Sequence, residues 1–262
     1  MSTGTILTFV LIGAFASWIA PHDYGATVGG SLQSPSSEFW FGTNVVGQDV
    51  FSRVIYGTQV SLGVAVPSIL ISLVLGLAVG LIAAYRRGWI DATLMRMMDV
   101  IFAFPAILLA VVLVAVLGPR LTNLVVVIAI LFTPRFAVVI RAAAMSVRHQ
   151  DYMTAARLMG ARGLRINRTH VIPNILPFLI VEMGLSMSAA ILTESALSFL
   201  GLGAQPPRPS WGGMVREAQS VMVLAPWTVI FPGIAIVLIV ITFTVLSHEL
   251  SQRLNLSGQV DR

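Results

Sequence analysis

The chain has 262 residues, 56% of them hydrophobic and only 10% charged, with a mean hydropathy of +0.89. Soluble domains carry about 25% charged residues, so an ordinary water-soluble enzyme is excluded. All 16 basic residues are arginine and cysteine is absent; this excludes a P-loop lysine, Schiff-base chemistry, thiolate nucleophiles and cysteine-ligated metals.

Six apolar stretches stand out, at 5–20, 60–85, 101–117, 124–136, 176–199 and 227–246. Their continuity predicts transmembrane helices rather than barrel strands, which would alternate in polarity over about ten residues. The first is short, reaching about 24 Å at 1.5 Å per residue, and uncharged residues 1–4 can extend it. Ala14-Phe15-Ala16 resembles a signal-peptidase site, but the segment lacks the basic region that normally precedes one, so residues 1–20 are read as a first transmembrane helix.

Residues 21–59 form an external loop. Val50, Val54 and Gly57, with Phe51 and Ile55, fall at helical spacing, and Asp49 and Arg53 are expected to pair on the opposite side. This predicts a short amphipathic helix entering the second span. Residues 60–262 are then a core of five further helices. In the second span Gly76, Gly80 and Ala84 recur every four residues, a stripe on which another helix of the same chain can pack closely. Pro67, Pro105, Pro134 and Pro232 lie within or beside spans and predict kinks. The fourth span can lengthen, because residues 137–140 continue apolar beyond Arg135, and an arginine near a span end can snorkel to the interface.

The inner segment from Arg141 to Asn174 is too patterned for a simple connector. Asp151 is expected to cap a helix through residues 153–159, with Ala155, Ala156 and Gly160 forming a smooth patch. A second short helix runs from Leu164 to Val171, before Pro173 and Pro177. Arg157, Arg162, Arg165 and Arg168 decorate this hairpin. A projecting knob that docks into another protein and a solvated basic loop both fit the charge, but only docking accounts for the small residues.

The fifth span carries two carboxylates, Glu182 and Glu194, which are costly in lipid and so are candidate functional groups. Ser186 and Thr193 fall near the Glu182 face at 100° per residue. Glu182 is read either as a pathway residue near a peptide's amino group or as an inner-interface carboxylate; Glu194, close to the outer end, is read as stabilising packing or an outer gate. His22, His149, His170 and His248 are not spaced as a zinc site, and neither a cofactor nor a metal site is expected. With the amino terminus inside, four arginines (Arg53, Arg120, Arg208, Arg216) fall outside and the remaining twelve inside. The positive-inside rule then places both termini in the cytoplasm.

Thr154-Ala155-Ala156, then Gly160, then His170-Val171-Ile172-Pro173 resembles the EAA loop of permease subunits of binding-protein-dependent ABC importers, whose pattern is Glu-Ala-Ala-x3-Gly-x9-Ile-x-Leu-Pro. Ala155, Ala156, Gly160 and Pro173 match in spacing, while Thr154, His170 and Ile172 depart from it. Phe41-Gly42-Thr43 with Gly47-Gln48-Asp49-Val50-Phe51-Ser52-Arg53, and Thr193-Glu194-Ser195-Ala196-Leu197-Ser198-Phe199-Leu200-Gly201-Leu202-Gly203 with Gln205-Pro206-Pro207-Arg208-Pro209-Ser210-Trp211-Gly212, resemble segments of the dipeptide, oligopeptide and nickel subgroup. The resemblance covers nearly the whole chain and is to the C-type permease of that subgroup. It implies an all-α integral membrane protein with the type I importer permease fold, six transmembrane helices and cytoplasmic termini, set in the cytoplasmic (inner) membrane of a bacterium.

The resemblance further implies a non-catalytic subunit. Its partners would be a second homologous permease, one or two cytoplasmic ABC ATPases and an extracytoplasmic substrate-binding protein, with no nucleic acid involved. The cytoplasmic coupling loop, 141–175, would carry Asp151, Ala155, Ala156, Arg157, Gly160, Arg162, Arg165 and Pro173 to the ATPase. Glu182, Ser186, Thr193 and Glu194 are the candidate pathway residues. Short peptides are the expected cargo, with nickel or another small solute as the alternative. A proton-coupled transporter using Glu182 and Glu194 fits less well, since no internal repeat is apparent. A serine protease using Ser186 or Ser188 needs a base within reach, and no histidine lies inside a span.

Overall fold

The computed structural model describes residues 11–86, 88–148 and 171–254. Among these the secondary structure is helical apart from one isolated bridge between Thr43 and Asp49. The helices are α1 (Ala16–Ile19), α2 (Val50–Arg86), α3 (Trp89–Phe102), α4 (Ala106–Leu117), α5 (Leu121–Arg148), α6 (Ile172–Phe199), α7 (Trp211–Glu217) and α8 (Trp227–Arg253). Four of them, α2, α5, α6 and α8, are long and apolar enough to cross a membrane, and α3 with α4 forms a broken pair bent by 90°. The expected first span falls partly outside the described residues.

Several expected boundaries shift for identifiable reasons. The short amphipathic helix and the second span are one helix of 37 residues. Its start is set by Asp49, whose carboxylate accepts from the backbone N–H groups of Phe51 and Ser52 at 3.2 and 3.0 Å. An acidic residue spent on this cap is not available to its neighbour, so the expected Asp49–Arg53 pair does not form. Arg53 is buried and donates to the Tyr24 carbonyl, to Gln48 and to Glu217. Both the apolar and the polar face of the helix start are therefore covered.

The expected third span, 101–117, contains the 90° bend. Pro105 lacks an N–H and biases Phe104 away from helical geometry, so α3 ends at Phe102 and α4 restarts at Ala106. The fourth span is longer than its apolar run. Helix α5 continues 28 residues through Arg135 and Arg141 because both arginines find carboxylate partners within the fold. Arg135 thus sits in the middle of a helix, paired with Glu182, rather than snorkelling from an end.

The chain divides into two compact units. The first comprises 1–68, 106–128 and 187–245. Within it Trp211 is fully buried and its Nε1 donates to the Val54 carbonyl at 2.9 Å. Gly57 permits this approach, since a Cβ there would lie 2.7 Å from the Trp211 ring. The preceding loop is pinned by buried Thr43, whose hydroxyl donates to the Gly30 carbonyl and accepts from the Gln33 N–H, and by the stacked rings of Phe41 and Phe231. Helix α6 ends where Gly201, at φ +84°, adopts a left-handed conformation. The Leu202 N–H reaches the Leu197 carbonyl and the Gly201 N–H reaches Ser198, the paired bonds of a Schellman cap.

The second unit comprises 69–105, 129–186 and 246–262. Here the Gly76 and Gly80 stripe of α2 packs against α5, as expected for a contact within the chain. A Cβ at Gly80 would stand 2.7 Å from the Ala137 carbonyl oxygen and 2.9 Å from Ile140 Cβ. Ser72 adds a bond from its hydroxyl to the Ala129 carbonyl at 2.9 Å. In apolar surroundings close backbone approach and hydroxyl-to-carbonyl bonds are the main specific contacts between helices.

Candidate functional site

Of the expected coupling residues, Asp151, Ala155, Ala156, Arg157, Gly160, Arg162 and Arg165 lie outside the described residues. Pro173 is described and occupies the first turn of α6, where a missing N–H costs nothing. The segment is therefore flanked by two long helices: α5 runs to Arg148 and α6 begins at Ile172. Near its root, Arg141 holds Asp91 of α3 in a bidentate pair, Nε to Oδ1 and Nη2 to Oδ2, both at 2.6 Å. Such two-pronged pairs fix orientation as well as charge. This clamp was not legible beforehand, because its partners are 50 residues apart and neither belongs to a local pattern.

The candidate pathway residues separate into two pairs. In the second unit, Glu182 accepts from the Ser186 hydroxyl at 3.0 Å and forms an ion pair with Arg135. Arg135 was the residue missed; an arginine in mid-helix opposite an intramembrane carboxylate is the signal that identifies it. In the first unit, Glu194 is fully buried, and its carboxyl group accepts from Ser198 at 2.6 Å and from Ser61 of α2 at 2.9 Å. Thr193 bonds back to the Ala189 carbonyl. Ser188, the alternative nucleophile, donates to the Val240 carbonyl and contacts Thr244.

A cavity of about 270 Å³ also lies in the first unit, lined in part by Asn44, Val46, Arg53, Met214, Glu217 and Val221. The Arg53–Glu217 pair, 2.9 Å between Nη2 and Oε2, forms part of its wall. Among the described residues no cluster of three or more histidine, aspartate or glutamate side chains has metal-binding geometry.

Comparison with known proteins agrees with this arrangement. Residues 76–256 match the family described as the binding-protein-dependent transport system inner membrane component. The dipeptide transport system permease protein DppC of Alkalihalophilus pseudofirmus is 41% identical over 251 residues, covering 95% of this chain and 83% of that protein. The glutathione transport system permease protein GsiD of Pectobacterium atrosepticum is 39% identical over 252 residues, covering 95% and 84%. Among solved structures, an inward-facing MetNI methionine ABC transporter matches with a TM-score of 0.62 at 17% identity, over 76% of this chain and 97% of that one. An amino acid ABC transporter matches with a TM-score of 0.61 at 19% identity, over 78% and 94%. The chain therefore belongs to the inner-membrane components of binding-protein-dependent transport systems and is a multi-pass permease subunit of an ABC importer, not a catalytic one.

Proposed function

We propose that this permease carries short peptides inward across the cytoplasmic membrane of a bacterium. Its coupling loop, 141–175, would be driven by separate ATPases. The observation that carries the coupling is the spacing of Ala155, Ala156, Gly160 and Pro173 in a segment flanked by two long apolar helices. Ala155, Ala156 and Gly160 allow close approach to a cleft on the ATPase. In this reading Asp151 would cap the leading helix, and Arg157, Arg162 and Arg165 would pair with acidic groups at the cleft rim. ATP-driven closure of the ATPases would then rock helices between inward- and outward-facing states, a rigid-body switch rather than chemistry.

The same reading gives six spans with both termini cytoplasmic. Residues 1–20 form the first span, 21–59 the external segment, and 60–262 the five-helix core. A second homologous permease completes the pathway, and an external binding protein delivers the cargo. Glu182, Ser186 and Thr193 face that pathway, while Glu194 holds α6 to α2. Peptide cargo is supported by relatives whose names specify a dipeptide and glutathione, both short peptides with charged ends.

The test is purification of the tagged chain from its own cell, followed by reconstitution. A second permease and ATPases should co-purify, and proteoliposomes should accumulate a dipeptide only with ATP and the binding protein. Uptake by the chain alone overturns the coupling, and ATP-dependent uptake of nickel without peptide uptake overturns the cargo.

A further inference from the structure

The Arg135–Glu182 pair lies deep within two helices that are each long enough to span a membrane. Arg135 is about 20 Å from either end of α5 at 1.5 Å per residue. A charge at that depth is tolerated when paired or when it faces water rather than lipid. The pairing is only partial. Glu182 Oε1 takes both the Arg135 Nε and the Ser186 hydroxyl. Among the described residues neither Glu182 Oε2 nor the two Arg135 Nη atoms makes a hydrogen bond. Exposure is uneven as well: the arginine side chain is 39% exposed and the glutamate 12%. The guanidinium therefore has donors to spare on a side chain that is partly exposed.

We propose that Arg135 and Glu182 form a charge-exchange site for the two ends of a zwitterionic short peptide. Arg135 binds its carboxylate and Glu182 its ammonium group. This rests on the peptide reading given above and adds a specific site to it. The two protein charges and the two peptide charges alternate in sign around a closed ring. Net charge at the site stays zero before and after binding, so a zwitterion leaves no charge uncompensated there, whereas a lone cation or anion does. A guanidinium already engaged through Nε presents its Nη edge for a second carboxylate. Ser186 holds the Glu182 carboxylate in place as the ammonium group docks. A peptide amidated at its carboxyl end brings an uncompensated positive charge, and an N-acetylated one an uncompensated negative charge; both should be disfavoured.

The test is equilibrium binding of radiolabelled dialanine to the whole permease–ATPase complex in lipid nanodiscs, without nucleotide or binding protein. Dialanine should bind saturably, and dialanine amide and N-acetyl-dialanine about tenfold or more weakly, the scale of one charged hydrogen bond. Arg135→Gln should abolish the discrimination against the amide, and Glu182→Gln that against the N-acetyl form. The charge-swapped R135E/E182R should keep both preferences, because the peptide binds reversed. If Arg135→Gln fails to assemble, the three peptides on the native complex and the charge swap decide the matter. The proposal is overturned if the native complex binds no dialanine saturably, or binds the blocked peptides equally well. Unchanged discrimination in Arg135→Gln overturns it too. Dialanine uptake by proteoliposomes supplied with binding protein, with no such site, sinks this proposal alone; absence of uptake sinks the peptide reading itself.

Discussion

At the scale of single residues, the buried polar groups carry the specific information. Glu194 has no contact with solvent and is satisfied by hydroxyls from α6 itself and from Ser61 of α2. Removing one such donor leaves an oxygen buried without its partner, which typically costs about 1–3 kcal/mol. Ser61→Ala should therefore lower the thermal unfolding midpoint of the detergent-solubilised complex, while Ser61→Thr, which keeps the hydroxyl, should cost less. The Asp91–Arg141 clamp is partly exposed, so its removal should be milder. A double-mutant cycle with Asp91→Asn and Arg141→Gln should return a coupling of about 0.5–3 kcal/mol, and additivity there would show that the pair contributes orientation without energy. Neither pair belongs to a local pattern. Glu194 was recognisable as a functional or packing group from its motif and its depth, but Ser61 and Asp91 are polar residues whose partners lie 133 and 50 positions away.

At the scale of helices, hydropathy located most of the spans and misjudged their ends. Apolar runs stop at the first charge, whereas α5 continues through two charges that each find a partner. Arg135 and Arg141 extend α5 to Arg148 for that reason. The bend in 101–117 was foreshadowed by Pro105 as a kink, but its 90° size depends on the chain restarting in a new direction, which composition does not encode. The glycine stripe was read correctly because its meaning is steric. Gly80→Leu should destabilise the fold by about 1–3 kcal/mol or more, as overpacking does, since the added atoms meet the Ala137 carbonyl and Ile140. Gly63, in the same helix, has nothing within 4 Å of its Cβ position. Gly63→Ala should leave the midpoint unchanged or slightly raised, and equal losses at the two glycines would refute the packing assignment.

For the whole molecule, the absence of cysteine makes topology directly measurable, because each introduced thiol is the only one in the chain. With both termini inside, Ser37→Cys in the external segment should react with an impermeant maleimide on intact spheroplasts. Arg162→Cys should react only after permeabilisation. Labelling of Arg162→Cys from outside would invert the arrangement and remove the coupling mechanism. Gly160→Leu should leave the complex assembled in the membrane but separate ATP hydrolysis from uptake. Substrate-stimulated hydrolysis and uptake both at native levels in reconstituted Gly160→Leu would count against a docking role for that patch.

The clamp between Asp91 and Arg141 has a mechanical consequence. It fastens α3 to α5 two turns before α5 ends, and the same helix carries Arg135 two turns further back. A force applied beyond Arg148 meets little slack on its way to the Arg135–Glu182 contact. The intervening rod is a continuous helix cross-braced at Arg141, so a nudge at its Arg148 end would travel as rotation instead of dissipating in a compliant joint. Severing the brace should soften the linkage, leaving ATP turnover intact while fewer cargo molecules cross per nucleotide spent.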